Sequence, residues 1–241
     1  MSQEQCAHSH YEQMAESWNG PSPGIDHDAP FYGPPLARFS TSVEYGFGAG
    51  RLLTKLKPTF GVDSSPAMIE RCIQANPDVK LLSGNISTVT LPRPVGYSYA
   101  AGGTMNGFSE LPELTEALSN IRRNSTATSE FRFDLIAGQM YEDLQSILGI
   151  WFTFDAGDEI ATCERYSQVG PRNYLHEYML DAGTSVQQHV HIHEQWFEPA
   201  EVTEALSHVG YSANWVQTRP GTRVFSPRAH LHFFVARQEE W

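Results

Sequence analysis

Three glycines within five residues, Gly46, Gly48 and Gly50, constrain what this chain can fold into more than any other feature. They follow the short approach Val43-Glu44-Tyr45 and precede a helical run from Arg51, after which Gly61-Val62-Asp63 ends a second apolar strand on an acid. Glycine has no Cβ, so such a loop can turn sharply and lay its backbone against a ligand. An acid closing the second strand suits ribose hydroxyls. The pattern predicts the opening strand-loop-helix-strand unit of a nucleotide-type fold, and with it a nucleoside-bearing cofactor.

The spacing narrows the choice of cofactor. The dinucleotide fingerprint is G-x-G-x-x-G, whereas here it is G-x-G-x-G with Glu44 two residues ahead. A carboxylate there repels a pyrophosphate and suits the ammonium of an amino-acid tail. The segment resembles motif I of the class I S-adenosylmethionine (SAM)-dependent methyltransferases, and the resemblance continues along the chain. Asp63-Ser64-Ser65-Pro66-Ala67-Met68-Ile69 is similar to the second motif of that family, with Ser64 or Ser65 as a helix N-cap before Pro66. Leu81 to Ile86 resembles the end of the third strand, Asn85 standing where the family has an Asp against the adenine amino group. Tyr99 to Phe108 resembles the loop that leaves the fourth strand, and Arg132 to Ile136 the fifth strand. The resemblance implies a seven-stranded, mostly parallel Rossmann-like sheet with helices on both faces. It also implies SAM as cofactor and S-adenosylhomocysteine (SAH) as its product, held by Glu44, Gly46, Gly48, Asp63, Ser64, Met68, Asn85, Ile86, Ala101 and Gly102. Thr104, Met105 and Asn106 would lie by the transferred methyl.

The charge balance fits a small-molecule acceptor. With 16 Lys+Arg against 28 Asp+Glu and a formal net charge of −12, the chain has little basic surface for a phosphate backbone. Its 241 residues, 40% hydrophobic, suffice for one sizeable core. Cys6, Cys72 and Cys163 are far apart and form no C-x-x-C pair, as expected of free thiols in a reducing compartment. No run approaches the roughly 20 apolar residues of a spanning helix, and the polar start Met1 to Gln5 does not resemble a secretion signal. These features predict a cytoplasmic protein without membrane or nucleic-acid partners, monomeric or homodimeric.

Four segments are expected. Residues 1–40 contain a helix candidate over 11–18 and a Pro/Gly-rich loop over 19–35, which by the resemblance form a lid over the donor. Residues 41–148 alternate strand and helix signals and form the SAM-binding α/β core. Residues 149–195 hold strand-like runs over 151–154, 159–166, 174–180 and 185–193, separated by turn chemistry at 155–158, 170–173 and 181–183. They read as an antiparallel β-meander inserted after the fifth strand and covering the active site. Residues 196–241 supply a helix over 198–209 and strands over 212–217 and 230–236. The insert, with the segments Phe133-Asp134 to Tyr141 and His193-Glu194 to Phe197, resembles the substrate-covering layer of a group that includes sugar and heterocycle N-methyltransferases and O-methyltransferases.

His189, His191 and His193 share one face of a period-two strand, with Val190 and Ile192 on the other. Three readings stand. They could ligate a metal if Glu164 or His176 completed the set; they could line the acceptor pocket as base or hydrogen-bond partner; or they could form the wet face of a sheet, as the alternation of His230 and His232 with Leu231 and Phe233 suggests. His191 and His193, with Tyr11, are taken as acceptor-side catalytic candidates, and no metal is assigned. Among the aromatic residues, Tyr11, Trp18, Phe31 and Tyr32 in the lid and Trp151, Phe154, Tyr166, Tyr174 and Tyr178 in the insert can stack on a planar acceptor or on the sulfonium. Trp18, Tyr141 and Tyr178 join Thr104, Met105 and Asn106 as substrate-binding candidates. The implied reaction is methyl transfer to N or O of a small planar, heterocyclic or aromatic metabolite of secondary metabolism. Two rivals are an NAD-dependent oxidoreductase, which Glu44 disfavours, and a SAM-binding protein that no longer methylates, such as a cyclase or binding module.

Overall fold

A computed structural model describes residues 28–76, 78–154, 162–181, 187–217 and 231–238. It opens on the one-turn helix α1 (Ala29–Tyr32) and a 3-10 turn at Pro34–Ala37, where the sequence predicts loop. The prolines account for the difference: each sits at the first helical positions, where its fixed φ matches the helix and its missing N–H has no partner to lose.

The core then alternates β1 (Ser42–Tyr45), α2 (Arg51–Leu56), β2 (Phe60–Asp63), α3 (Pro66–Ala75), β3 (Lys80–Ser83), β4 (Val95–Ala100), α4 (Leu111–Arg123), β5 (Ser125–Ile136) and α5 (Gly138–Leu144). After the insert come α6 (Pro199–His208), β10 (Tyr211–Gln217) and β11 (Leu231–Gln238). The seven strands are ordered β3-β2-β1-β4-β5-β11-β10. β1 to β5 pair in parallel, and β11 runs antiparallel to both β5 and β10. β1 and β4 are buried along their whole length while β3 is half open, as central and edge strands of a two-sided sheet should be.

Each face of the sheet buries its own cluster. Phe131, Phe133 and Phe234 stack at 4.8 and 4.7 Å and pack under Leu114, Leu118 and Ile121 of α4 and Val202 and Leu206 of α6. On the opposite face Tyr97, Tyr99 and Phe233 meet Tyr32 of α1 and Leu52 of α2. Burial of such side chains contributes about 1.5–3 kcal/mol each, so the two clusters fix the helices and hence the loops at the strand ends. α6 starts on a capping box between Glu198 and Glu201, which satisfies two of its orphan N–H groups.

The insert is a separate antiparallel sheet of β6 (Phe152–Phe154), β7 (Thr162–Gln168), β8 (Asn173–Asp181) and β9 (Gln187–Gln195), in that spatial order. One of its faces lays Tyr166 and Tyr174 on Met140, Tyr141 and Leu144 of α5. The predicted turn at 170–173 joins β7 to β8. Residues 155–158 and 182–183 lie outside the described residues.

Candidate active site

Chain connections reverse between β1 and β4: β2 follows β1 on one side, and β4 lies on the other. In an open α/β sheet, ligands bind in the crevice at the carboxyl ends of the strands at such a switch point. Two loops line it, 46–50 after β1 and 101–107 after β4. Gly46 has φ 66°, and a Cβ there would stand 2.4 Å from Thr104 Cγ2. Gly48 has φ 55° with nothing among the described residues within 4 Å of the Cβ it lacks. Thr104 Oγ1 donates to the Ala101 carbonyl at 2.8 Å and sits against Gly46, which packs the two loops together.

Asp63, ending β2, fixes the glycine loop. Its Oδ2 accepts the Gly48 N–H at 2.8 Å and its Oδ1 the Ser65 N–H at 2.9 Å. Of the two serines it is Ser65 that caps α3, accepting from the Met68 N–H at 3.2 Å, while Ser64 is exposed and Met68 buried. Asn85 is exposed after β3 and folds its Oδ1 onto the Ser87 N–H at 2.7 Å. Ile86 packs against the core.

Two buried acids flank the crevice. Glu44 in β1 is 3% exposed and accepts from the Tyr99 hydroxyl at 3.1 Å. Burial pushes its carboxyl up to about 8, against the Tyr99 hydrogen bond and the charge of Arg51. Arg51, at the start of α2, is paired with an acid, Asp28, through two bonds of 2.7 and 2.5 Å. Asp134 in β5 is fully buried and accepts the Gly102 and Gly103 N–H groups at 2.8 and 2.6 Å and the Tyr32 hydroxyl at 2.5 Å. Burial raises its pKa over the opposing effect of those hydrogen bonds. Asp134 thus anchors the loop that leaves β4, a role absent from the sequence-based assignments although a lone acid in the apolar run Phe133-Asp134-Leu135-Ile136 was the available signal. Tyr32, expected among lid aromatics, is instead a core residue of α1 whose hydroxyl serves Asp134.

Not every predicted residue offers a surface to a ligand. Met105 is fully buried in the main core. Asn106 donates to the Gln195 carbonyl and accepts from the Ile136 N–H, both at 2.8 Å, so it ties the loop to the insert and to β5. Tyr141 is fully buried on α5, stacked on Tyr174 at 4.2 Å. Tyr11 and Trp18 lie outside the described residues, as do the side chains of Tyr178 and His189.

Inside the insert, His176 is 3% exposed and sandwiched by carboxylates, Nε2 at 3.0 Å from Glu164 Oε2 and Nδ1 at 3.2 Å from Glu194 Oε1. The other Glu194 oxygen accepts the Tyr141 hydroxyl at 3.0 Å, and Tyr166 stacks on the imidazole at 3.8 Å. Burial alone lowers the pKa of His176; the charges of Glu194 and Glu164 and the hydrogen bonds to both outweigh it and raise the value. With an acidic side chain at each ring nitrogen, the geometry favours the imidazolium, in which both nitrogens donate.

His191 and His193 belong to the other face. The register sets Glu177 opposite His191 and Leu175 opposite His193, and His191 Nδ1 is 3.5 Å from Glu177, itself bonded twice to Arg165. The metal reading that joins this face to Glu164 or His176 is therefore corrected: a period of two sends those side chains through the opposite side of the sheet. His191 and His193 point away from the face that packs on α5.

No protein-family model matches the chain, and no curated protein sequence does. Solved structures do. The CcbJ methyltransferase from Streptomyces caelestis is 18% identical, covers 96% of this chain and 98% of its own, and superposes with a TM-score of 0.75. CalS10, an amino pentose methyltransferase of calicheamicin biosynthesis from Micromonospora echinaspora, described with SAM bound, is 16% identical over 95% of this chain and 96% of its own, with a TM-score of 0.69. The sugar N-methyltransferase KedS8 from Streptoalloteichus sp ATCC 53650 is 16% identical over 92% and 91%, with a TM-score of 0.70. The similarity spans both the core sheet and the insert, so this chain has the fold of the class I SAM-dependent small-molecule methyltransferases.

Proposed function

We propose that the protein is a SAM-dependent methyltransferase that moves a methyl group to a nitrogen or oxygen of a small metabolite. The observation that carries this reading is Glu44: a buried carboxyl that, among the described residues, has no cation bonded to it, beside a glycine loop at the topological switch point. That set suits the ammonium of a donor's amino-acid tail and repels a dinucleotide pyrophosphate. Asp63 would take the ribose hydroxyls, Gly46 and Gly48 would let the donor approach the backbone, and Asn85 with Ile86 would border the adenine. SAM supplies an activated methyl. The chain's own residues then have to hold the acceptor atom in line at about 3–3.5 Å and keep water out, where positioning is worth roughly 7–11 kcal/mol. Thr104 and the loop that Asp134 anchors form one wall for this, and the insert the other.

The acceptor atom we favour is nitrogen. The neighbours include an amino pentose and a sugar N-methyltransferase, which supports an amine as the acceptor. The biosynthetic setting of CalS10 likewise supports a role in secondary metabolism.

Thermal unfolding with SAM, SAH and NAD tests the donor. A ligand at 100 times its Kd adds about 2.7 kcal/mol to the folded state. A midpoint raised by SAM and SAH but not by NAD is expected; a rise with NAD alone overturns the reading. A mass gain of one methyl on an acceptor, screened first among amino sugars and then among planar heterocycles and phenols, separates an enzyme from a protein that only binds SAM.

A further inference from the structure

Glu44 is placed to act as more than a point of attachment. It is 3% exposed and its hydrogen bond among the described residues comes from a neutral phenol, Tyr99. Among the described residues, the groups whose charge reaches it are Tyr97 and Tyr99 of β4, Arg51 of α2, Asp28, Asp63 of β2 and Cys72 of α3. Arg51 is the one cation among them, and Asp28 already neutralises it through two bonds. Asp28 and Asp63 add negative charge. A carboxylate removed from water with no cation of its own is disfavoured against its neutral form.

We infer that donor binding by this protein is proton-coupled: the free protein holds Glu44 as the carboxylic acid, and the ammonium of the donor's amino-acid tail displaces that proton to solvent and pairs with the resulting carboxylate. The inference rests on the donor reading above and adds its regulation. The step balances, since one O–H bond is broken, one proton enters the buffer, and the ligand's ammonium supplies the compensating charge. Burial that holds the free carboxyl at about 8 makes neutral pH fall on the acid side of the transition. SAH affinity then rises about tenfold from pH 6 to pH 7 and levels off above pH 8.

Isothermal titration of the full chain with SAH at pH 6.5, in phosphate and in Tris, reads the released protons directly from the difference in buffer ionisation enthalpy. Close to one proton per SAH is expected. 5′-Methylthioadenosine, which has the nucleoside and sulfur but no amino-acid tail, is expected to release none. Glu44→Gln, nearly isosteric, is expected to bind SAH at least tenfold more weakly and without pH dependence while still binding methylthioadenosine, which shows that it is folded. SAH binding to the wild type with no proton release, or a release that persists in Glu44→Gln, overturns the inference and leaves the donor reading standing. A wild type that binds neither SAH nor methylthioadenosine overturns both.

Discussion

Glu44 and Asp134 at the donor crevice are buried against neutral donors, one phenol for the first and a phenol with two backbone N–H groups for the second. Glu164 and Glu194 in the insert face an imidazolium instead. The same residue type is handled by opposite means, and the reason lies in what each region must do. By the proposed donor reading, a crevice that takes a cationic ligand gains from an acid with no internal counter-charge, whereas the insert pairs its buried carboxylates with a cation of its own.

The sharpest way to break this contrast is to remove the internal cation. His176→Gln leaves two buried carboxylates facing a neutral amide and is expected to cost about 3–5 kcal/mol, the range for breaking a buried ion pair by deleting one partner, read by urea unfolding at neutral pH. The wild type has a matching pH signature. The folded pKa of His176 is raised, so its contribution is fully present below its ordinary 6.5 and is lost as pH rises through the raised value. Glu44 pushes in the same direction: held up at about 8 from an ordinary 4.5, it stabilises the fold below 4.5 and ceases to as pH rises through 8. Glu44→Gln is therefore expected to flatten the fall in stability between pH 5 and 8, and His176→Gln to flatten it above pH 6.5. If Glu44→Gln leaves the slope unchanged, Glu44 is not neutral in the free protein and the contrast fails.

A smaller effect separates fold from ligand within the crevice. Gly48→Ala meets no neighbour among the described residues but must hold φ near 55°, which costs about 1–2 kcal/mol for a residue with a Cβ. Its methyl group enters the space where the donor would lie, so SAH affinity is expected to fall by more than the stability does. Gly46→Ala carries the same backbone cost and adds a collision with Thr104 at 2.4 Å. Unfolding midpoints with and without SAH distinguish the two: Gly48→Ala loses the ligand-induced shift on top of a modest drop in the free protein, and Gly46→Ala drops further in the free protein because of the collision.

The pattern of what sequence reasoning reached follows from the range of the forces involved. The glycine loop after β1, the acid ending β2, the cap before Pro66 and the meander with its turn at 170–173 are set as structure by neighbours a few residues apart, so periodicity and turn chemistry expose them. Asp134 and Tyr32 meet across 102 residues, and His176 reaches Glu164 and Glu194 on two other strands. Nothing local marks such partners beyond a polar residue in an apolar run. The histidine face is a related case: His189, His191 and His193 alternate along β9, but which side of the sheet packs on α5 depends on Tyr166 and Tyr174, bulky residues on β7 and β8 whose contribution only the assembled sheet reveals.

The rim of the insert supplies the smallest test of the contrast. Arg172 Nη1 bonds Glu201 Oε2 at 2.7 Å across the boundary between the insert and α6, with both side chains 39% exposed. The guanidinium also lies 5.6 Å from the Trp196 ring centroid. Glu201 accepts from the Glu198 N–H at 3.2 Å as part of the α6 capping box, so it keeps a structural partner when the arginine is gone. Exposed pairs of this kind contribute about 0.2–1 kcal/mol, and salt screens them. Arg172→Gln is accordingly expected to lower stability by no more than about 1 kcal/mol in dilute buffer, the difference shrinking at high salt, where the deficit of His176→Gln persists because its carboxylates are shielded from ions by burial. A loss for Arg172→Gln as large as that for His176→Gln, or one that survives high salt, would mean that the insert is held on the core by its rim rather than by its buried charge array.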